Sequence, residues 1–508
     1  MDMNNPTTLT SVSCLTTLTH DCTEDFTLPD YMPEIRRVIA VEAIPLPESR
    51  FLTGAALEFG GTVIYSVLYV GDTGELYSAP LSSEYSASVA LGDGSVTDAA
   101  AVGIDTHLDN VTCRASGPRK LSLKSRMKTR IAAYTPTPLT ETVKDSATGR
   151  VVSEEDGSLE RLIRTAPDAQ ILRGEITSTA TGTVSVSPDT KVIACHGAIR
   201  PEEIRASADS VSVRGDAVLH MLCLSPEGSF FCTAAKSPIS ESIPVSGVRE
   251  GDPCRAWGRC AAVTVNTADP TAVTWEIEYD MEAECVHIGE SAYTADAYAT
   301  ACASAVETAE YDSLRLIKCG NGALSCSGES GRQSKATTGE RVIRADATAS
   351  VDRVEMGDGK RLILQGNCTC RVLLAADGEV ITEEFTLPVR YETEALARGE
   401  SQDLLWRCSA DVVDVTARTE GDKIAVGVEL AISTSVLCRE KIRSVTAVSL
   451  DRAAPVTAED GVVRLCYPDA GEPIWEVGKR YRADLATLCR RNGMADPTSL
   501  CNGEPILV

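Results

Sequence analysis

Short apolar runs recur along the chain at nearly fixed intervals. Val38-Ile39-Ala40, Val192-Ile193-Ala194 and Val342-Ile343-Arg344 begin three similar segments, 154 and 150 residues apart. A second run follows each start after 29, 29 and 30 residues: Val67-Leu68-Tyr69-Val70, Met221-Leu222-Cys223-Leu224 and Val372-Leu373-Leu374-Ala375. These runs end in Gly71-Asp72-Thr73-Gly74, Ser225-Pro226-Glu227-Gly228 and Ala376-Asp377-Gly378. Glycine there supplies the positive φ of a tight hairpin. A further strand pair begins at Val111, Val263 and Val413 and breaks at Gly117-Pro118, Ala268-Asp269-Pro270 and Glu420-Gly421-Asp422. Val, Thr, Ser, Ala and Tyr alternate between these points, which is a strand pattern. Self-similarity at this period marks repeated domains.

The pattern predicts a mainly β chain: three repeated antiparallel, sandwich- or barrel-like domains over residues 31–135, 191–301 and 341–455. A polar segment, 1–30, precedes them. Residues 136–190 and 302–340 read as connectors, the second because Cys319-Gly320-Asn321-Gly322 and Ser325–Gly331 lack periodicity. Parts of both are expected to pack as extra strands or a helix.

The last segment, 461–508, follows a different pattern. Val462-Val463-Arg464-Leu465-Cys466 reads as a strand and Pro473 as a first helical position. Ile474, Val477 and Tyr481 recur at helical spacing. A second helix over Leu485–Arg491 stops at Asn492-Gly493, and Ile506-Leu507-Val508 closes the unit as a strand. The result is a small βααβ domain.

Composition narrows the classes of function. A length of 508 residues suits three or four domains, and 43% hydrophobic content suits globular cores. No apolar run approaches the roughly 18 residues of a membrane helix. Met1–Asp30 has no basic start followed by an apolar stretch, so a cytosolic location is expected. The net charge of −25 disfavours nucleic acid and anionic membranes as partners. The 19 scattered cysteines predict reduced, mostly buried thiols. Cys195-His196 and Cys368-Thr369-Cys370 lack a second half at ligand spacing, so neither a metal nor a cofactor is expected. The five histidines, His20, His107, His196, His220 and His287, lie far apart. No phosphate-binding, zinc-protease or nucleophile-elbow motif occurs, and no enzyme is expected.

Charge distribution adds two candidate surfaces. Lys124, Arg126, Lys128 and Arg130 share one phase of a strand in the first repeat. Their equivalents in the second repeat, 152 residues on, are Glu276, Glu278, Asp280 and Glu282. The two stripes are either solvated strand faces or complementary surfaces that meet within a chain or between copies. The tail, in contrast to the acidic body, balances six basic against six acidic side chains. Trp475 within it is either a plug of the small core or an exposed anchor.

The tail residues Gly471-Glu472-Pro473-Ile474-Trp475-Glu476-Val477-Gly478-Lys479-Arg480-Tyr481, then Asn492-Gly493-Met494, then Asn502-Gly503-Glu504-Pro505-Ile506-Leu507-Val508, resemble a LysM domain. Glu472, Pro473 and Met494 stand where the family pattern has Asp, Thr and Leu. The three repeats, with the Pro-rich lead Thr27–Ile35, resemble the SPOCS domains of spore-coat proteins. SPOCS repeats followed by a C-terminal LysM domain are the layout of the SipL-like coat morphogenetic proteins.

That resemblance implies a non-enzymatic adaptor in the mother-cell cytosol at the forespore surface. Its LysM domain would bind the coat-basement ATPase, stage IV sporulation protein A, through Glu472, Pro473, Ile474, Trp475, Lys479, Asn492, Gly493 and Met494. Substitution of Glu472, Ile474 or Lys479 is expected to weaken that binding while the fold survives. The alternative reading is a LysM protein that binds peptidoglycan or N-acetylglucosamine in the cell wall or spore cortex.

Overall fold

The apolar and small polar residues alternate into long antiparallel strands, six to a repeat. A computed structural model describes residues 7–53, 56–90, 100–153, 158–331, 341–376, 379–456 and 464–508. In the first repeat β1 (Thr8–Thr27) precedes β2 (Ile35–Thr53), β3 (Ala56–Gly71) and β4 (Leu76–Ala90), which pair in the order β2-β3-β4. β5 (Ala101–Gly117) and β6 (Lys120–Pro138) follow, and β1 joins them in a second sheet, β1-β6-β5.

After a short β7 (Thr142–Asp145) the plan repeats with β8 (Leu159–Ser185), β9 (Lys191–Ser207), β10 (Ser210–Leu224), β11 (Phe230–Pro244), β12 (Cys254–Asp269) and β13 (Ala272–Ala299). Its sheets are β9-β10-β11 and β8-β13-β12. The third repeat uses β14 (Cys302–Gly331), β15 (Arg341–Met356), β16 (Arg361–Ala376), β17 (Glu379–Glu394), β18 (Leu404–Glu420) and β19 (Lys423–Pro455), in sheets β15-β16-β17 and β14-β19-β18. A parallel bridge between Leu314 and Asp168 joins β14 to β8, and β7 pairs parallel with β19.

Each repeat is a sandwich because one phase of each sheet is apolar. In the first, Val63, Tyr65 and Val67 of β3 pack with Leu121, Leu123 and Met127 of β6. Val211, Val213 and Leu219 meet Trp275, Ile277 and Tyr279 in the second. Leu362, Leu364 and Val372 meet Val426, Val428 and Leu430 in the third. Burying a side chain of this size contributes about 1.5–3 kcal/mol.

The segments expected to be connectors supply the first strand of the second and third repeats, β8 and β14. The glycines at 320 and 322 are part of β14. A Cβ on Gly322 would lie 2.0 Å from the Tyr391 hydroxyl, so this glycine serves close approach between strands rather than a turn. Val111, Val263 and Val413 lie inside β5, β12 and β18 and do not begin them. The turn expected at Asp377-Gly378, the strand residues Val462-Val463 and residues 332–340 of the second connector lie outside the described residues.

The three sandwiches close into a ring. β4 of the first repeat touches β9 of the second. β11 touches β15 of the third, where the Cys232 thiol lies 3.0 Å from the Ile343 carbonyl. Arg37 on β2 closes the circle by donating to the Val380 carbonyl of β17 at 2.6 Å. Equivalent residues of all three repeats meet at the centre: Ile39, Ile193 and Ile343, then Leu68, Leu222 and Leu373, then Leu76, Phe230 and Val380. The hydrophobic effect is non-directional, so this collar needs no distinct partner at any of its positions.

The tail adds β20 (Leu465–Cys466), α1 (Ile474–Tyr481), α2 (Leu485–Arg491) and β21 (Ile506–Leu507). β20 pairs antiparallel with β21. Pro473 caps α1 rather than opening it, so the helix begins one residue later than expected. Among the described residues no helix is long and apolar enough to cross a membrane.

Candidate functional site

Two places gather the chemistry of this chain: the docking face of the tail and the polar layers at the centre of the ring.

The tail does not stand alone. The strands β8 and β13 run on to Leu159 and Ala299, and this extension receives α1. Trp475 is 1% exposed and packs at 5.0 Å, tilted by 60°, on Tyr298 of β13. Its Nε1 donates to Asp296 at 2.9 Å, and Lys479 Nζ reaches the same carboxylate at 2.5 Å. The Tyr298 hydroxyl donates to the Ala483 carbonyl at 2.8 Å, and the Leu485 amide donates to Glu160 at 3.3 Å. One apolar cluster therefore joins Leu162 and Tyr298 of the second repeat to Ile474, Trp475, Val477 and Leu488 of the tail.

This arrangement decides the fate of the eight tail residues singled out from sequence. Ile474 and Trp475 are core, so neither is open to a further partner, and substitution of Ile474 acts on the fold rather than on a surface. Lys479 is engaged by Asp296. Glu472 is tied to Arg480 and accepts from the Asp469 amide. Pro473 bridges to Leu500. The Asn492 side chain clamps the end of α2 onto β21, donating to the Leu488 and Leu507 carbonyls at 2.8 Å and accepting from the Leu507 amide at 2.8 Å. Gly493 takes φ 66° just past the helix, and Met494 packs against the tail core. The exposed large apolar residues of the tail lie elsewhere, at Leu465, Tyr467, Leu500 and Leu507. Leu465 and Leu507 are cross-strand partners and so share one face.

The charge stripes lie on β6 and β13, and of the arrangements open to them, contact of one stripe with the other within the chain does not occur. Lys124 and Arg126 both pair with Asp21 on β1, and Lys128 pairs with Asp109 beside β6. Arg130 lies 3.5 Å over the Trp406 ring of the third repeat. On β13, Asp280 accepts from Thr177, and Glu282 pairs with Arg259. Glu276 and Glu278 are exposed. Apart from Arg130, the partners these side chains find lie on neighbouring strands of the same sheet.

The polar layers were not expected from sequence. Glu42, His196 and Asp346 occupy the same place in β2, β9 and β15, four residues after the Val that starts each repeat. Arg344 reaches across all three. It pairs with Glu42, donates to Asp346 at 2.6 Å and contacts His196 Nδ1 at 3.4 Å. Burial and the neighbouring Glu42 push Asp346 up to about 8. Arg344 holds Glu42 down to about 2 although burial acts the other way. The two carboxyls thus keep one proton between them. Burial lowers His196 to about 3, so it is neutral, and it stacks on His220 at 4.8 Å and 12°. Beside this layer lies a cavity of about 900 Å³ lined from all three repeats, with His107, Arg259 and Arg371 among its polar residues.

A second layer has Glu284 at its heart, 1% exposed. It accepts from Arg173 at 3.0 Å, Arg255 at 3.2 Å and Arg407 at 2.5 Å, and Arg407 also binds Asp105 at 2.5 Å. Arg255 further donates to the Arg407 carbonyl and Ser433 Oγ. Three guanidinium groups hold the Glu284 carboxyl well below the usual range against the pull of burial. Asp105 comes from the first repeat, Arg173, Arg255 and Glu284 from the second, Arg407 from the third. A third tie is Asp168, which accepts from the Thr10 amide at 2.8 Å. These polar groups hold repeats together.

All 19 cysteines are unpaired thiols, and among the described residues no group of three His, Cys, Asp or Glu side chains is placed to hold a metal ion. No family model, curated protein or solved structure matches the chain.

Proposed function

We propose that this chain is a non-enzymatic structural adaptor of the bacterial spore coat. The ring of SPOCS-like repeats is the scaffold, and the LysM-like tail recruits the coat-basement ATPase, stage IV sporulation protein A, at the forespore surface. The observation that carries this reading is the mounting of the tail. Its helical face is anchored on the second repeat through Asp296, Tyr298 and Glu160, while Leu465, Tyr467, Leu500 and Leu507 stay exposed on a unit with no net charge. Four exposed large apolar residues on so small a unit, with Leu465 and Leu507 side by side, suit a protein interface. The buried charges support a scaffold in the same way, since Arg344 with Glu42 and Arg407 with Asp105 and Glu284 pair across repeats.

The reading is tested with the full chain. Purified stage IV sporulation protein A should be retained by the wild type and lost with Leu465→Glu plus Leu507→Glu, while Glu276→Gln, far from the tail, leaves retention unchanged. Sedimentation of the chain with peptidoglycan, together with no retention of the ATPase, would overturn the adaptor in favour of a glycan-binding protein.

A further inference from the structure

The two charge stripes occupy equivalent sheet positions and carry opposite sign. Strand β6 is the middle of β1-β6-β5, and β13 is the middle of β8-β13-β12. Both strands bury alternate residues, so Lys124, Arg126 and Lys128 point outward from one sheet, and Glu276, Glu278 and Asp280 from the other. The flanking strands carry small residues at matching places. Thr23 and Thr19 lie opposite Lys124 and Lys128, and Thr181 and Thr177 lie opposite their equivalents Glu276 and Asp280. Threonines keep both faces low, and the long charged side chains stand above them. The side chains of Lys124, Arg126 and Lys128 are 51%, 50% and 53% exposed even though each has a local carboxylate.

The local carboxylates do not cancel the contrast. On the first face Lys120, Lys124, Arg126, Lys128 and Arg114 stand with Asp21, Asp25 and Asp109, five positive charges with three negative. On the second Glu175, Glu276, Glu278, Asp280 and Glu282 stand with Arg259, five negative charges with one positive. At their inner ends both stripes run into the ring, Arg130 over Trp406 and Glu284 among its arginines, so the free lengths project outward.

We propose that copies of this chain associate with one another, the basic face of the first repeat of one copy lying on the acidic face of the second repeat of another. The occupant is a second copy because the complementarity is written into this chain itself. Three outward positions, 124, 126 and 128, correspond to three outward positions, 276, 278 and 280, in sign-reversed register at the same two-residue period. Contacts of this kind steer association and set its register, and salt weakens them. The inference concerns the ring alone and does not depend on what the tail binds.

Sedimentation velocity of the full chain tests it. At low ionic strength the wild type should form species larger than the monomer. Raising salt to about 0.5 M, where charges more than a few ångströms apart are screened, should weaken this association at least ~10-fold. The variant Lys124→Glu, Arg126→Glu, Lys128→Glu should be monomeric, and so should Glu276→Lys, Glu278→Lys. Mixed in equal amounts the two should sediment as a complex, and a chain carrying all five changes should regain self-association, which also shows that the reversals leave the fold intact. A wild type that stays monomeric at low salt overturns the proposal, and so does association that survives either set of reversals or a mixture that does not form a complex.

Discussion

Where Ile39, Ile193 and Ile343 meet at the centre of the ring, the three repeats present the same residue. Three positions further along the same strands they present Glu42, His196 and Asp346, which share no chemistry beyond a titratable group. Apolar side chains around a common axis gain equally from identical neighbours, because burial carries no sign or direction. Buried ionisable groups do not. Three carboxylates or three guanidinium groups brought together there would repel in a poorly solvated place. A single chain of three repeats escapes this constraint, since each repeat can differ. Here one supplies a carboxylate, one a neutral imidazole, and the third a carboxyl together with the guanidinium that binds both its neighbours.

The sharpest way to break this contrast is Arg344→Met. It leaves Glu42 and Asp346 buried together without a cation, and a loss of about 3–5 kcal/mol is expected in urea denaturation. Adding Glu42→Gln and Asp346→Asn should recover much of that loss, because an apolar or neutral layer tolerates what a half-charged one does not. The apolar layer is expected to respond evenly. Leu222→Ala and Leu373→Ala, each fully packed in the collar, should each cost roughly 3 kcal/mol. Costs that differ by more than about a factor of two would mean that the collar does not present equivalent surroundings to its repeats.

The apolar layer was legible in the sequence because its residues announce themselves: Val-Ile-Ala and Val-Leu-Tyr stand out from a Thr- and Ser-rich background at fixed offsets. The polar layer was not, although the same offsets that align Ile39, Ile193 and Ile343 align Glu42, His196 and Asp346. No local pattern marks an isolated Glu and an isolated His 154 residues apart as neighbours; ring closure brings them together. Strands β8 and β14 were hidden for a related reason. Their outward phases are largely Thr and Ser and their inner phases include Gly, so Thr177, Thr179 and Thr181 look like loop until the half-buried Ile176 and the buried Ala180 of the other phase are placed on a core. In the tail, the helical period of Ile474, Val477 and Tyr481 was enough to find α1. Nothing in that period tells whether Trp475 rests on its own small sheet or on Tyr298, and it rests on both units at once.

Titration separates the members of the polar layer from one another. Asp346 keeps its proton in the folded chain to about 8, above the ordinary carboxylate value, so its contribution is present in full at low pH, declines as pH rises and is gone above about 8. His196 is held near 3, below its ordinary value, so its contribution is present above about 6.5 and is lost as pH falls toward 3. Between roughly pH 4 and 6.5 the two slopes oppose each other, each at most about 1.4 kcal/mol per unit. The wild type minus Asp346→Asn difference should therefore fall with rising pH across the whole range to about 8, while the wild type minus His196→Gln difference should rise from about 3 to 6.5. Differences of about 1–2 kcal/mol in parallel denaturation series are expected. Two flat difference curves would remove the shared proton and the neutral imidazole from the account.

The smallest expected effect probes asymmetry of a different kind, in strand length rather than side-chain identity. β8 and β13 extend past the sandwich, and Asp296 on that extension takes both the Trp475 indole and the Lys479 ammonium. Asp296→Ala removes the acceptor and leaves a buried indole N–H without a partner, which should loosen docking by about 1 kcal/mol. Apolar contact with Leu162 and Tyr298 remains, so the tail should stay folded and only its opening from the ring should become more frequent. Hydrogen exchange reads this directly. Amides of α1 should exchange several-fold faster in the variant, whereas amides of β2, β9 and β15 around the central layers should not change. If both sets accelerate alike, the tail and the ring open as one unit, and the polar layers at the centre are coupled to the docking face rather than independent of it.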